Sequence, residues 1–271
     1  MSTPAAVPVV EASSLTRRFG AFVAVDHLSF GVPRDEVFGL IGPNGAGKTT
    51  TIKMLTTLIP PSEGQARVAG FDVRRSPTEV RRRLGYVPQL ISADAQVTGF
   101  ENLWVVAGLH GIPRPERAER IREALALLGL SAVADELVRS YSGGMIRRLE
   151  IASALLHQPE VLFLDEPTVG LDPVAREAVW EQIDRLRRRH GTAIVLTTHY
   201  MEEADRLCQR VGVLHRGRLV AVGTPAELKA SLARPGGTLQ DVFLHYAGED
   251  VELSGSYRET GRTRRVAARL E

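Results

Sequence analysis

Three short apolar runs organise this chain: 37–41 (VFGLI), 161–164 (VLFL) and 193–197 (AIVLT). Consecutive apolar positions without alternation suit strands buried on both faces of a parallel sheet. A glycine-rich segment follows the first run, and residues 49–58 then read as a helix that Pro60-Pro61 stops, because proline lacks the N–H donor. Between the second and third runs, Val174, Ala178, Ile183 and Leu186 recur at helical spacing, predicting a helix over 174–190 that Gly191 closes. Strands alternating with helices imply a largely parallel α/β sheet. Upstream, residues 22–37 hold short β-type runs and a Pro33-Arg34-Asp35 turn.

From Gln89 to Pro159 the pattern changes. Residues 101–110, 115–128 and 142–157 all read as helices with no strand between them, which describes a helical insertion. After His199 come a hairpin, 211–214 with 219–222 joined by His215-Arg216-Gly217, and a helix opened by Thr224-Pro225-Ala226-Glu227. That tetrapeptide has the form of a capping box with proline at the first helical position. The expected division is 1–89, the N-terminal part of the core; 90–159, the helical part; 160–230, the C-terminal part of the core; and 231–271, a final helix and basic tail.

Composition narrows the class. The 271 residues are 44% hydrophobic and 24% charged, enough to bury a sizeable core. The longest apolar runs, such as 103–109, fall far short of the ~20 residues a membrane-spanning helix needs. Residues 1–10 carry no basic flank, so no secretory signal is expected. A single cysteine, Cys208, excludes an internal disulfide, suits a reducing cytoplasm and reads as a small buried apolar residue. The net charge of +2 gives no reason to expect nucleic acid as a partner. Only the tail from Ser254 is strongly basic, with five arginines; it reads as a solvated terminus, the alternative being an arm for anionic lipid or a partner.

The chemistry lies at the ends of the apolar runs. In Gly42-Pro43-Asn44-Gly45-Ala46-Gly47-Lys48-Thr49 the glycines let backbone N–H groups approach phosphates, and the loop feeds a helix N-terminus. Lys48 adds a cation and Thr49 an oxygen for Mg²⁺; Thr50, one residue on, is counted with the nucleotide-binding positions, although its plainer reading, shared with Thr51, is a first-turn helix residue. The run 161–164 delivers Asp165, a Mg²⁺ ligand, and Glu166, placed to polarise the water that attacks the γ-phosphate. His199, after the third run, reaches the γ-phosphate edge as a donor. Gln89, where sheet meets insertion, offers its amide to metal or water. Ser142-Gly143-Gly144 opens a second helix terminus far along the chain from the first. Two copies facing head to tail would set that terminus against the phosphate held by the other copy's Lys48, with Asp172 after Leu171 at the same interface.

Taken together these segments resemble the ATPase subunit of ATP-binding-cassette (ABC) transporters over about residues 15–232. The stretches Tyr141-Ser142-Gly143-Gly144-Met145, 197–205 (TTHYMEEAD), 223–225 (GTP) and 238–246 (TLQDVFLHY) are similar to the daunorubicin/doxorubicin-resistance group. The resemblance implies an α/β fold: a phosphate-loop NTPase core with a mainly parallel sheet, an N-terminal antiparallel β subdomain and a helical insertion. It also implies an ATPase using ATP and Mg²⁺, dimeric with itself and peripheral on the cytoplasmic face of the cell membrane. There it would drive a separate integral membrane permease to export a hydrophobic drug-like compound. By the same resemblance Phe19 stacks on adenine, Gln89 couples nucleotide to the permease and contributes to the Mg²⁺ site, and Ser142, Gly143 and Gly144 contact the γ-phosphate in trans. Two departures from the family pattern stand beside these: Tyr141 replaces the usual leucine and Met145 the usual glutamine. The alternatives are another cargo (lipid, polysaccharide or peptide) or the reverse direction of transport, a non-transport cassette ATPase acting on ribosomes or nucleic acid, and a small-molecule kinase. One phosphate loop and no sustained heptads weigh against the second, and the SGG segment with His199 against the third.

Overall fold

The computed structural model describes residues 7–232, 234 and 236–247. Both chain ends, including the arginine-rich segment from Ser254, lie outside the described residues, as does most of the N-terminal stretch read for a secretory signal.

Two sheets form. The first is antiparallel, in the order β2-β1-β4-β5, from β1 (Val10–Phe19), β2 (Phe22–Val32), β4 (Glu63–Val68) and β5 (Phe71–Asp72). The second has the order β10-β9-β3-β8-β7-β6, from β3 (Val37–Ile41), β6 (Leu84–Val87), β7 (Val161–Asp165), β8 (Ala193–Thr198), β9 (Arg210–His215) and β10 (Arg218–Gly223). Strands β9, β3, β8, β7 and β6 run parallel; β10 is the antiparallel edge that completes the expected hairpin. The α/β class, with a mainly parallel core and an antiparallel N-terminal sheet, is therefore the observed one.

Alternation along the buried strands sends side chains to two cores. Val161, Phe163, Ala193, Val195, Phe38 and Leu40 pack with the antiparallel sheet and α1 (Lys48–Leu55). Leu162, Leu164, Ile194, Leu196, Val37 and Ile41 face the opposite way, into a core built with the helices α3 (Gly99–Leu109), α4 (Arg114–Leu127), α5 (Gly143–Leu155), α6 (Pro173–His190), α7 (Met201–Leu207) and α9 (Leu239–Ala247). Short helices α2 (Pro77–Arg83) and α8 (Pro225–Ala230) complete the set, α8 with the expected capping box at Thr224 and Glu227. Cys208 is buried at the C-cap of α7, and burial pushes its thiol well above the ordinary range.

Three local differences from the pattern reading have physical causes. Strand β1 was not anticipated because bulges interrupt its alternation: the register slips between Ala12 and Leu15, where Ser14 adopts φ 48° and donates its N–H to Ser29 Oγ at 2.8 Å. Residues 22–32 are one eleven-residue strand rather than short runs, with the partner bulge residue His27 at φ 51°. Helix α1 ends three residues before Leu58, because Lys53 O accepts from both Leu58 and Ile59 N–H while Thr57 takes φ 64°, a left-handed termination.

Candidate hydrolytic and phosphate-binding site

The parallel direction of β3, β7 and β8 brings the glycine-rich loop, Asp165-Glu166 and Thr198-His199 to one sheet edge, the carboxyl ends of the strands. The loop closes onto α1 through Gly47 at φ 105°, where a Cβ would come within 2.6 Å of Ala24 O. No side chain caps α1 and none of its own first-turn residues is acidic, so its N-terminal N–H groups have no side-chain cap. They border a cavity of about 420 Å³ lined by Pro43 to Thr50 with Phe22, Ala24, Gln89 and Glu166. A larger cleft of about 580 Å³, beside α4 and the C-terminal end of α5, is lined by none of the candidate residues.

Glu166 is the centre of the arrangement. It follows β7 at φ 51°, a left-handed conformation rare for a residue with a Cβ, fixed by its N–H donating to Thr197 O at 3.1 Å and Thr197 Oγ1 at 3.0 Å. The residue is 4% exposed. Oε1 lies 3.1 Å from Lys48 Nζ; Oε2 lies 2.8 Å from His199 Nδ1 and accepts the His199 N–H at 3.3 Å. Burial works against the charge, but the His199 hydrogen bond and the Lys48 ammonium outweigh it and hold the carboxyl below its ordinary range. Lys48 is itself buried and donates to Gly42 O at 2.7 Å and Pro43 O at 3.1 Å.

One residue earlier, Asp165 Oδ1 accepts from Thr49 Oγ1 at 3.1 Å and from Thr197 Oγ1 at 2.5 Å. Among the described residues no group of three or more His, Cys, Asp or Glu forms a metal cluster. One hydroxyl and one carboxylate, both hard oxygen donors beside a phosphate cradle, fit Mg²⁺, which keeps waters and shares phosphate oxygens.

Not every sequence-predicted residue joins this group. Phe19, at the end of β1, does not line the cavity and carries the Arg17 guanidinium 4.6 Å over its ring; Phe22, at the start of β2, does line it. Ser142, Gly143, Gly144 and Asp172 gather elsewhere. Ser142 caps α5, its Oγ accepting Met145 N–H at 3.3 Å while Met145 Sδ accepts Ser142 N–H at 3.5 Å. Asp172 caps α6 through Ala175 N–H at 2.9 Å. The two helix starts lie side by side: a Cβ on Gly144 would come 2.8 Å from Ala175 Cβ. The candidate residues thus form two clusters, one around Lys48 and Glu166 and one around Ser142 and Asp172.

The sequence reading missed Thr197 and Glu203. Thr197 ties Asp165 to Glu166 and carried no signal beyond its place at a strand end. Glu203, fully buried on α7, accepts from Thr168 Oγ1 at 2.7 Å and Trp180 Nε1 at 2.9 Å, and burial raises its carboxyl above the ordinary range. An acidic residue on a short helix reads as solvated until its packing is seen.

The sequence profile described as ABC transporter matches residues 25–169. The chain belongs to this family. It is 45% identical over 243 residues to the daunorubicin/doxorubicin resistance ATP-binding protein DrrA of Streptomyces peucetius, covering 90% of this chain and 72% of DrrA. It is 41% identical over 239 residues to the probable multidrug ABC transporter ATP-binding protein YbhF of Escherichia coli (strain K12), covering 87% of this chain but 41% of YbhF. The chain therefore spans about two-fifths the length of that relative. A solved structure titled as the ATP binding subunit of an ABC transporter superposes with a TM-score of 0.78 at 29% identity, covering 89% of this chain and all of that one.

Proposed function

We propose that this chain is the ATP-hydrolysing subunit of an exporter, closing as a head-to-tail pair around two ATP molecules and driving a separate membrane permease. The observation that carries the reading is Glu166, buried between Lys48 Nζ and His199 Nδ1 at the mouth of the phosphate cavity. An entering γ-phosphate draws Lys48 away from Glu166 and leaves that carboxylate to accept a proton from the attacking water. The loop from Gly42 to Thr50 and the start of α1 hold the phosphates. Thr49, Asp165 and Gln89 would hold Mg²⁺, which when bound neutralises charge on the β- and γ-phosphates. His199, anchored on Glu166, directs a donor to the γ-phosphate edge, and Phe19 offers a ring to adenine. Ser142, Gly143 and Gly144 of one copy meet the phosphate of the other, with Asp172 holding the neighbouring helix start at that interface.

Among the described residues no helix is long and apolar enough to cross a membrane, which agrees with attachment to a partner that does. We propose that the partner lies in the cell membrane with this chain on its cytoplasmic face, and that the cargo is a hydrophobic drug-like compound, a reading supported by the likeness to DrrA, which is named for daunorubicin/doxorubicin resistance. The cargo would be chosen by the permease. The test is isolation of the tagged chain from native membranes, with Glu166→Gln in parallel. The expected preparation contains a polypeptide with several ~20-residue apolar spans and releases phosphate from ATP. The Glu166→Gln form should bind ATP while losing on the order of 10²–10³ in turnover. Equal turnover in the two forms overturns the role of Glu166; recovery without a spanning partner overturns transport.

A further inference from the structure

Helix α5 carries two buried charges outside the machinery described so far. Arg147 and Glu150 are each 5% exposed and pair at 3.1 Å. Their remaining bonds all reach across to other elements. Arg147 Nη1 donates to Pro88 O at 2.6 Å, and Nη2 to Gln89 O at 3.2 Å and Glu166 O at 3.5 Å. Glu150 Oε1 accepts Ser92 N–H at 2.6 Å and Ser92 Oγ at 3.1 Å. One ion pair therefore grips the segment 88–92 from both ends and touches the backbone of Glu166.

We propose that Arg147 and Glu150 act as a positioning unit for ATP hydrolysis, locking the Gln89 segment and the Glu166 backbone to the helix that presents Ser142 to the partner copy. The proposal rests on the hydrolytic reading above and names the device that joins its two clusters. A buried ion pair is weak grounds for stability, since apolar residues of similar volume commonly serve as well. What apolar residues cannot supply is a planar donor fork reaching three carbonyls at once, nor an acceptor for the Ser92 amide. The pair begins five residues after Ser142, under two turns along α5, so a shift of that terminus is carried to residues 88–92 by a rigid element. Neither side chain lines the phosphate cavity, so nucleotide binding does not require them.

The test uses the full chain and two variants. Arg147→Lys leaves a point charge that cannot span the three carbonyls, and the double variant Arg147→Met with Glu150→Met strands no buried charge and keeps the fold. Amide hydrogen exchange, ATP affinity and steady-state hydrolysis are measured on each. In the double variant the Ser92 amide should exchange at least ~10-fold faster. Both variants should keep KM and ATP affinity within ~3-fold while kcat falls ~10-fold or more. Unchanged kcat, or a Ser92 amide as protected as in the parent, overturns the proposal while leaving the hydrolytic reading intact. A parent chain that releases no phosphate from ATP sinks that reading and this proposal with it.

Discussion

At the residue scale, the ring pair His110 and His157 sets an acid limit on stability. The rings stack with centroids 3.9 Å apart and planes 4° from parallel, where α3 ends against the helical core. His157 Nε2 lies 2.8 Å from Leu84 O, and its buried Nδ1 has no partner, so the neutral form with hydrogen on Nε2 fits. Burial first, and the neighbouring His110 second, push His157 down to about 4 from an ordinary 6.5. Between those values the unfolded chain takes up a proton that the folded chain refuses. Stability is therefore full above about pH 6.5 and falls as pH drops toward 4, by roughly 3 kcal/mol from this group. His157→Phe keeps a ring but cannot titrate; it gives up the bond to Leu84, about 1 kcal/mol at all pH values. Melting temperature followed from pH 7.5 to 4.5 should show the parent losing ground to the variant as pH falls. Parallel curves would contradict the assignment.

At the element scale, the start of α3 and the approach to α5 interlock through one glycine. Tyr141, the residue that departs from the family's leucine, is buried and donates its hydroxyl to Val133 O at 2.6 Å. A Cβ on Gly99, the first residue of α3, would come 2.3 Å from that hydroxyl oxygen. Gly99→Ala should therefore cost about 1–3 kcal/mol by overpacking despite alanine's better helix propensity. In a Tyr141→Leu background the obstructing hydroxyl is gone and Gly99→Ala should be neutral or stabilising. Denaturant unfolding of the four proteins gives the coupling, and additivity would show the two positions to be independent. This contact also shows what a single sequence conceals. Strands β3, β7 and β8 are legible because burial on both faces makes them continuous apolar runs, and α6 because its apolar spacing ends at Gly191. Strand β6, four residues between α2 and Pro88, is too short to show a period, and the bulge at Ser14 hides β1. Site residues at strand ends are legible for the same reason as the strands. Arg147 and Glu203 are not, because a charge on a helix looks solvated until three-dimensional packing buries it.

At the scale of the whole molecule, the two clusters of candidate site residues pose a question that one copy leaves open. Ser142-Gly143-Gly144 and Asp172 cap α5 and α6 without joining the lining of the cavity around Lys48. If each phosphate is held by Lys48 of one copy and the α5 terminus of the other, defects on opposite sides must complement. Lys48→Ala removes the cation from the cavity. Gly143→Asp sets a carboxylate at the start of α5, where helix geometry tolerates it and a phosphate would be repelled. Each variant alone should be inactive, since every site in its pair contains the defect. In an equal mixture about half the pairs are mixed, and each mixed pair has one doubly defective and one intact site, so activity should return to about a quarter of the parent's. A terminus acting within its own chain predicts none, because each chain of the mixed pair keeps its own lesion. Phosphate release measured against mixing ratio separates the two outcomes: a curve peaking at equal amounts requires composite sites, and a flat line at zero excludes them.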